Sequence, residues 1–327
     1  MRVGVPLRGR LGRLGFGGAG IGNLYRAMDD AVAAATLGAA WNAGIRYFDT
    51  APHYGLGLSE RRLGAFLATK PRGEFFISTK VGRMLEPVEN PSGARDGEGF
   101  VVPADTVRRW DPTEAGIRRS IEESLCRLGL DRIDIAYLHD PDVYDLSAGI
   151  NQALPALEKL RAEGLVGDIG VGANSADALR DCILGADLDV IMLAGRYTLL
   201  EQPAATELLP LCVERGVGVA NGGVYNSGLL ARPVVPDDAH YNYVPAPAGI
   251  LARAQALAAC CGEFGVELPA AALQFALNHP AVCTVVVGAS NAEQMAQTAQ
   301  RMAADIPAGL WDTLVDRGLL AKELVHG

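Results

Sequence analysis

Eight short apolar segments recur along the chain, and helix-like stretches separate them. The segments are continuous runs of residues typical of buried strands, without the alternation of apolar and polar residues that marks a strand with one wet face. Such runs are typical of parallel strands that helices cover on both sides. They occupy residues 14–17, 47–50, 75–80, 133–139, 167–171, 190–194, 217–220 and 284–288.

Amphipathic or alanine-rich segments fill the gaps, and several of them end at a glycine. Gly44, Gly129 and Gly216 each follow a predicted helix, at the position where a left-handed residue commonly ends one. Eight units of strand, helix and glycine predict an α/β fold of the (β/α)8 TIM-barrel type. No linker divides the chain, so we expect one domain over residues 1–327, with a C-terminal helix over 310–324 outside the eight units. The other predicted helices span 29–43, 59–67, 113–128, 151–163, 175–184, 206–215, 248–262, 269–278 and 291–304.

Two connections are much longer than the tight turns that usually join a strand to the next helix. Residues 82–111 follow the third strand, and residues 222–247 follow the seventh. Both leave the carboxyl ends of their strands, the face on which barrel enzymes build their active sites. We therefore expect long loops of that face that serve as substrate lids or walls. A flexible surface excursion is the alternative, and residues 90–99 fit that alternative better.

Composition limits the kinds of partner that the chain can have. Hydrophobic residues make up 49% of the 327 residues, enough for a large core. The net charge of −9 and the lack of a long basic run argue against nucleic-acid binding. No apolar run approaches the roughly 18 residues of a membrane span, and no signal peptide is visible. The six cysteines show no metal-ligand spacing, so we expect reduced thiols, no metal site and a cytoplasmic location; the oligomeric state stays open.

Four side chains with acid–base chemistry lie at or just beyond the ends of consecutive strands. Asp49 ends the second strand, and Tyr54 lies in the loop that follows it. Lys80 ends the third strand and His139 the fourth, so all four share one rim of the barrel. An ammonium group beside a phenol lowers the phenol pKa from about 10, a carboxylate would hold the ammonium, and an imidazole can relay a proton. This combination predicts a general acid–base site.

Each of these residues also has a purely structural interpretation. Asp49 could satisfy a turn, Tyr54 could be a half-buried loop aromatic, and His139 could bond a backbone carbonyl in the core. Lys80 is harder to explain in this way, because lysine is rarely buried without a partner. The convergence of all four residues on one rim favours the functional interpretation.

The segments that carry these residues resemble those of the aldo-keto reductases. The run GIRYFDTAPHYGLGLSERRLG is specific to that superfamily, and the resemblance extends from LGFGGAGIGNL to VVVGASNAEQ. STKVGR, LGLDRIDIAYLHDPD, LAGRYTLLEQ and NSGLLA are similar to the bacterial branch that includes L-fucose and D-threo-aldose 1-dehydrogenases and a pyridoxal 4-dehydrogenase. The resemblance implies that Asp49, Tyr54, Lys80 and His139 form the catalytic tetrad of the family.

The resemblance also implies a nicotinamide cofactor bound across the barrel mouth without a Rossmann fold. It places Asn174 at the nicotinamide carboxamide and Tyr197 against the nicotinamide ring, although Tyr197 could also be an ordinary strand-end aromatic. The chain departs from the family at Ala173, Ala194 and Gly223, where serine, glutamine and serine are usual. The other implied contacts lie in the loop that would wrap the pyrophosphate and at the helix N-terminus after the last strand: Gly222, Gly223, Ser227, Gly288, Ser290 and Gln294.

The choice between NAD and NADP depends on whether a cation reaches the 2′-phosphate of NADP. No lysine or arginine occurs between Thr284 and Gln300, and the first one is Arg301. This absence favours NAD. NADP remains the alternative if a cation reaches in from another loop.

The resemblance implies oxidation of the hemiacetal carbon of a cyclic aldose, of the L-fucose or D-threo-aldose type, to a lactone. Pyridoxal shares the hemiacetal, so a pyridoxal 4-dehydrogenase is one alternative, and a general NADPH-dependent aldehyde or ketone reductase is another. Two hypotheses from other classes are a Schiff-base aldolase that uses Lys80 and a non-enzymatic regulatory subunit that binds the cofactor. The candidate substrate contacts are His53, Trp110, Arg196 and Tyr225, with Tyr241 and Tyr243 as further pocket aromatics.

Overall fold

Eight parallel strands close into a barrel in the computed structural model, which describes residues 7–91, 93–241 and 244–325. Each strand pairs with the next one along the chain, and the last pairs with the first. This topology confirms the predicted (β/α)8 fold. The strands are β1 (Leu14–Gly17), β2 (Tyr47–Asp49), β3 (Phe76–Val81), β4 (Ile133–His139), β5 (Val166–Ala173), β6 (Val190–Ala194), β7 (Gly218–Gly222) and β8 (Val282–Val287).

Helices cover the outside of the barrel and begin and end where local chemistry permits. Before Glu114–Leu128, the Thr113 hydroxyl accepts a hydrogen bond from the Gly116 amide at 3.1 Å, and Gly129 ends the helix with a φ of 66°. The other α-helices are Leu7–Arg10, Asp30–Asn42, Leu58–Leu67, Pro141–Tyr144, Leu146–Ala148, Leu154–Ala162, Ala176–Gly185, Leu208–Arg215, Ala248–Glu263, Leu268–Phe275, Ala292–Ala303 and Ala308–Asp316. Short 3-10 turns occupy Gly20–Gly22, Arg72–Glu74, Pro203–Ala205 and Lys322–Leu324.

Two helices differ from the sequence prediction. The helix expected over 151–163 is preceded by a π-helical turn, Gly149–Ala153. Pro155 has no amide hydrogen and disfavours a regular α-helical turn before it, so a wider turn is accommodated there. The helix expected over 310–324 ends at Asp316, because Gly318 adopts a left-handed conformation with a φ of 67°.

A group of apolar side chains fills the inside of the barrel below its open rim. Met192 belongs to this group and also lines the cavity at the carboxyl ends of the strands, so the group forms the floor of that cavity. A larger apolar layer lies between the strands and the outer helices. The members of the inner group are Leu11, Tyr47, Ile135, Tyr137, Val190, Met192, Ala220 and Val286.

The first long connection folds into a hairpin that leans over the barrel mouth. The segments Arg83–Pro87 and Thr106–Trp110 pair as antiparallel strands. Beyond them, Phe100 forms a bridge with Leu24 and is buried in a small apolar cluster. Of the residues 90–99, which the sequence assigned to a surface excursion, 90, 91, 93–95 and 97–99 are exposed, and the chain returns to the site at the buried Phe100.

In its described residues, 222–241 and 244–247, the second long connection turns repeatedly and holds one short strand pair. His240–Tyr241 pairs antiparallel with Val244–Pro245. The Tyr241 hydroxyl donates to Glu201 Oε2 at 2.6 Å, which joins this loop to the loop after β6. Tyr243, an expected pocket aromatic, lies outside the described residues.

No single helix in the described ranges is long and apolar enough to cross a membrane. The helices Ala248–Glu263 and Leu268–Phe275 reach that length and apolarity only when they are taken together. The angle between these two helices is 103°.

A buried ion pair joins two outer helices to β3. The fully buried Glu60 carboxylate accepts hydrogen bonds from Thr79 Oγ1 and from Arg127 Nε, both at 2.6 Å. Since Thr79 is next to Lys80 in the chain, this interaction holds the end of the strand that carries the lysine. Removal of one member of such a pair leaves an uncompensated charge in the interior.

The variant Arg127→Met should lower the free energy of unfolding by about 3 kcal/mol, because the Glu60 carboxylate then stays buried without its cation. Urea unfolding followed by circular dichroism measures this loss. The matched control is the double variant Glu60→Gln/Arg127→Met, which leaves no buried charge and should recover most of the stability. Equal losses in both variants would show that the charge is not the cause.

Candidate active site

The four acid–base side chains meet at the carboxyl ends of β2, β3 and β4. Lys80 Nζ donates to Asp49 Oδ2 at 2.6 Å and to the Thr50 carbonyl at 3.0 Å. The same nitrogen lies 4.6 Å from the centre of the Tyr54 ring. The rings of Tyr54 and His139 are 6.0 Å apart and nearly perpendicular. The structure thus brings together all four residues from their separate segments.

A close contact between two loops positions Tyr54. A Cβ atom on Gly55, whose φ is 63°, would lie 2.2 Å from the Gly22 carbonyl oxygen. A Cβ atom on Gly22 would in turn lie 2.8 Å from the backbone of Tyr54. Only glycine permits this approach, so the glycine-rich segment after β1 serves to seat the tyrosine loop.

A chain of hydroxyl groups supports Asp49 from inside the barrel. Ser78 Oγ donates to Asp49 Oδ1 at 2.7 Å. The Tyr47 hydroxyl lies 2.9 Å from Ser78 Oγ and 3.2 Å from the Tyr137 hydroxyl. Both carboxylate oxygens of Asp49 therefore have a donor, which holds the carboxylate in one orientation toward Lys80.

Burial and charge oppose each other at Tyr54 and Lys80. Burial raises the pKa of the Tyr54 phenol, and the Lys80 ammonium lowers it only in part, so the phenol is protonated at neutral pH. The expected net decrease in this pKa is therefore wrong for this structure, because desolvation outweighs the cation. Burial lowers the pKa of Lys80, but Asp49 and Tyr54 raise it more, so the lysine is charged.

His139 and His53 are both neutral at physiological pH. Burial lowers the pKa of His139 well below its ordinary value of 6.5, and the cations Arg83 and Lys80 lower it further. Burial, again with Arg83, lowers the pKa of His53 to about 3. His139 Nδ1 is buried and has no hydrogen-bond partner in the described part of the chain. The site therefore holds a neutral imidazole with an uncommitted nitrogen.

A cavity of about 540 Å³ opens above these side chains. Of the residues predicted from the sequence, His53, Asn174 and Gly223 line it together with Tyr54, Lys80 and His139. Among the described residues, no group of three or more His, Cys, Asp or Glu side chains could hold a metal ion. Among the lining residues that sequence reasoning missed are Leu24, Tyr25, Glu98, Phe100 and Asp140; Ala19, Gly172 and Met192 also line the cavity.

Only one of these missed residues carried a signal in the sequence. Asp140 directly follows His139 at a strand end, on the rim where the site was expected. Glu98 and Phe100 lie in a glycine-rich loop without periodicity, and Leu24 follows the first strand at a distance that only the fold reveals. Their positions depend on the bridge between residues 24 and 100.

Tyr197 does not face the cavity. The residue is 1% exposed. Its ring stacks on that of Phe275, with ring centres 5.2 Å apart, and lies edge-on to that of His279, with ring centres 6.0 Å apart. The predicted stacking of Tyr197 on nicotinamide is therefore wrong, because the ring packs between the barrel and the outer helices. The alternative, an ordinary strand-end aromatic, describes its position.

Arg196 contacts the backbone of another predicted site residue. Its Nε donates to the Asn174 carbonyl at 2.8 Å, and its side chain lies 3.4 Å from Glu201 Oε1. These contacts orient the end of β5 at the rim of the cavity. The position fits a role in holding Asn174 better than the predicted direct contact with substrate.

The other two substrate candidates lie beside different surfaces. Trp110 stacks on Tyr144 with ring centres 4.9 Å apart, and its ring leaves no room for a Cβ atom on Gly82. Tyr225 lines two adjoining cavities of about 630 and 640 Å³. The structure contradicts the prediction that these aromatics form the walls of the cavity above the acid–base residues.

The adjoining cavities continue the first one toward β8 and form a groove with it. We number the cavities from the acid–base residues outward: the first is the one of about 540 Å³, the second that of about 630 Å³ and the third that of about 640 Å³. Gly223 lines the first and second cavities. Ser227 and Gly288 line the second and third. Gly222 ends β7 and is buried just behind this groove. Of the residues that the family resemblance assigns to the cofactor, Asn174, Gly223, Ser227, Gly288 and Gln294 line the groove, whereas Gly222, Ser290 and Tyr197 do not.

The helix N-terminus at the far end of the groove has its amides already occupied. Asn291 Oδ1 accepts from the Gln294 amide at 2.8 Å, and Gln294 Oε1 accepts from the Ser290 amide at 2.9 Å. Gln294 lines the third cavity. The predicted anion contact at Ser290 therefore needs the Gln294 side chain to move or another donor to take its place.

Cations reach this end of the groove from other segments. Arg232 and Arg301 line the third cavity, and Arg26 donates to a backbone carbonyl beside it at 3.0 Å. Arg301 also pairs with Glu267 at 2.8 Å. The absence of lysine and arginine between residues 284 and 300 thus does not leave the cavity without positive charge, which removes the main support for a preference between NAD and NADP.

Neither His53 nor His139 should titrate between about pH 5 and 8, because burial and nearby cations keep both pKa values below that range. Proton NMR of the imidazole signals measures this, with His53→Asn and His139→Asn to assign them. Since the unfolded chain protonates histidine near pH 6.5, the free energy of unfolding should fall as the pH decreases below that value. A His139 signal that titrates near pH 6.5 would contradict the burial argument.

The chain is similar to known proteins over nearly its whole length. Residues 13–315 match the model of the Aldo/keto reductase family. The chain is 55% identical to D-threo-aldose 1-dehydrogenase from Pseudomonas sp over 309 residues, 94% of each protein, and 39% identical to pyridoxal 4-dehydrogenase from Microbacterium luteolum over 332 residues, also 94% of each. The holo form of aldo-keto reductase AKR11C1 from Bacillus halodurans aligns with a TM-score of 0.74 and 26% identity, over 96% of this chain and 95% of that one. The chain therefore belongs to the aldo/keto reductase family and is an oxidoreductase that uses a nicotinamide cofactor.

Proposed function

We propose that this enzyme oxidises the hemiacetal carbon of a cyclic aldose, of the L-fucose or D-threo-aldose type, to a lactone. The observation that carries the proposal is the buried Lys80–Asp49 pair beside Tyr54 at the bottom of an open cavity. The 55% identity with a D-threo-aldose 1-dehydrogenase supports an aldose as the substrate. The ion pair also argues against an aldolase, because a Schiff base requires an uncharged lysine free to attack.

The groove has the shape and charge that an elongated dinucleotide needs. Three cavities share lining residues and run from the acid–base residues to the arginines near β8. Asn174, Gly223, Ser227 and Gly288 would hold the cofactor along this groove. When bound, nicotinamide would accept the hydride from C1 of the sugar.

In this proposal, Tyr54 transfers the proton and His139 assists it. The C1–H electron pair leaves as hydride, the C1 hydroxyl gives its proton to Tyr54, and the C1–O bond becomes the lactone carbonyl. Because burial keeps Tyr54 protonated, the phenol must first lose its own proton, and the Lys80 ammonium favours that loss. The neutral His139 ring lies beside Tyr54 and would orient the substrate oxygen, while the phenol proton leaves to solvent in the open cavity. In the reverse direction, the protonated Tyr54 acts directly as the acid.

The variant Tyr54→Phe should lower kcat for aldose oxidation by about 10³-fold, because general acid–base catalysis is lost while the ring shape is kept. Initial rates of nicotinamide reduction, followed by absorbance, measure the effect. The panel contains L-fucose, D-arabinose, L-galactose, L-xylose, D-glucose and pyridoxal. Fluorescence titration with the reduced cofactor is the control, and its Kd should stay the same.

The panel also separates the aldose proposal from its alternatives. Turnover of pyridoxal alone would keep the mechanism but assign the enzyme to pyridoxal oxidation, which the 39% identity with a pyridoxal 4-dehydrogenase makes the second candidate. If the enzyme oxidises nothing and only reduces aldehydes with NADPH, the aldose proposal is wrong. Tight cofactor binding without any turnover would point to a regulatory subunit.

We propose NAD rather than NADP as the cofactor: of the two arginines that line the third cavity, Arg301 is already paired with Glu267, which leaves Arg232 as the arginine that a 2′-phosphate would have to engage. The value of kcat/KM should be higher with NAD⁺ than with NADP⁺. Arg232→Ala should lower the value for NADP⁺ about tenfold and leave that for NAD⁺ unchanged, since a charge-assisted contact to a phosphate is lost. Arg118→Ala, an exposed arginine on a distant helix, is the matched control. A higher value with NADP⁺ in the unchanged enzyme would overturn the proposal.

A further inference from the structure

We propose that Glu98 and Asp140 form a hydroxyl-binding subsite that selects a neutral, polyhydroxylated substrate. The subsite lies beside the acid–base residues, between the loop after β4 and the segment that follows the Arg83–Pro87 strand. The inference rests on the proposed aldose oxidation and deepens it, because it names the residues that would recognise the sugar hydroxyls.

Asp140 has a backbone conformation that its neighbouring helix does not explain. Its φ is 42° and its ψ is 58°, in the left-handed region that residues other than glycine seldom occupy. It precedes the short helix Pro141–Tyr144, where an aspartate usually caps the first turn, yet its side chain makes no capping hydrogen bond. Strained residues of this kind cluster at functional sites, so the conformation points to a role for the side chain.

The Asp140 carboxylate instead turns into the cavity. Its Oδ2 atom accepts a hydrogen bond from Arg83 at 2.5 Å and lies 3.5 Å from His139 Nε2. Arg83 comes from the hairpin, so the contact joins the hairpin to the end of β4. The carboxylate thus lies directly beside a residue of the proposed catalytic tetrad and lines the same cavity.

Glu98 approaches the same cavity from the opposite side of Arg83. Its Oε2 atom lies 3.6 Å from His53 Nδ1 and 4.0 Å from Arg83, and its Oε1 atom lies 3.5 Å from Arg108. An ion pair of 2.5 Å between Arg108 and Asp96 anchors this part of the loop. About half of the Glu98 side chain is exposed, so its oxygens have room to bind a further donor.

Glu98, Asp140 and the arginines between them form one wall of the cavity, and the polar groups of this wall complement a sugar ring. Carboxylate oxygens only accept hydrogen bonds, whereas guanidinium groups only donate them. Arg83 is 7% exposed, and its Nε has no hydrogen-bond partner among the residues that the structure describes. Ring hydroxyls donate, so adjacent hydroxyls can bind Asp140 and Glu98 together, while Arg83 behind them holds both carboxylates. The apolar floor at Met192 suits the C–H surface of the ring.

The charges of the wall disfavour an anionic sugar. The carboxylates of Asp96, Glu98 and Asp140 face the guanidinium groups of Arg83 and Arg108, and His53 is neutral. The wall therefore carries a net charge of −1 before substrate binds. A sugar phosphate or sugar acid would bring like charge to this surface, which adds repulsion to the selection of neutral polyols.

The test compares the oxidation of an aldose with the reduction of a small aldehyde that has no hydroxyl group, such as butanal. In Glu98→Gln and in Asp140→Asn, the ratio of kcat/KM for the aldose to kcat/KM for butanal should fall about tenfold or more, because a charged acceptor for hydroxyl groups is lost. The fall should come from KM more than from kcat. Both changes keep the shape of the side chain, and asparagine tolerates the left-handed conformation of residue 140.

Two exposed acidic residues nearby supply matched controls. Glu89→Gln lies on the same loop and Asp142→Asn on the same rim, and both should leave the ratio unchanged. Thermal melting followed by circular dichroism checks that each variant is folded. An unchanged ratio in both Glu98→Gln and Asp140→Asn, or an equal loss with aldose and butanal, would overturn the subsite.

Failure of the proposed function has a different signature. An unchanged enzyme that reduces butanal but oxidises no aldose would overturn the aldose proposal and, with it, the subsite. Aldose turnover with a ratio that the two substitutions do not change would overturn the subsite alone.

Discussion

The buried ion pair between Lys80 and Asp49 is the interaction on which the site depends. Burying two charges costs more free energy than their attraction usually returns, so such a pair seldom exists for stability alone. Here the contacts of 2.6 and 2.7 Å to Asp49 and of 3.0 Å to Thr50 give every charged atom a partner. These partners come from β2 and β3 and from the turn after β2. The barrel therefore holds an ammonium group beside the Tyr54 phenol, where a proton must move.

Closure of the barrel mouth determines the protonation of the groups around this pair. The hairpin after β3 brings Phe100 against Tyr54, with ring centres 6.1 Å apart, and removes water from one side of the phenol. The same desolvation raises the pKa of Tyr54 and lowers that of His139. Burial thus keeps the phenol protonated, the state in which it can act as the acid in reduction, and keeps the imidazole neutral.

The fold and the acid–base residues were predictable because both depend on local sequence. Apolar runs specify strands, and a residue at a strand end lies on a known rim. Tyr197 was not predictable in this way, since Gly195 has a φ of 69° directly after β6 and breaks the alternation that assigns side chains to one face or the other. The cations Arg26 and Arg232 come from distant segments, so no window around β8 reveals them, whereas Arg301 lies in the helix that follows β8.

In the proposed subsite, Arg83 would link substrate recognition to proton chemistry. Its guanidinium holds the Asp140 carboxylate at 2.5 Å, and its charge lowers the pKa of both His139 and His53. A bound hydroxyl group that competes for Asp140 would therefore change the field at His139, because Asp140 and Arg83 have opposite effects on the protonated ring. This interaction could not be predicted from the sequence, since Arg83, His53 and His139 lie in three separate segments. In this proposal, substrate recognition and proton transfer share one electrostatic network, with Arg83 at its centre.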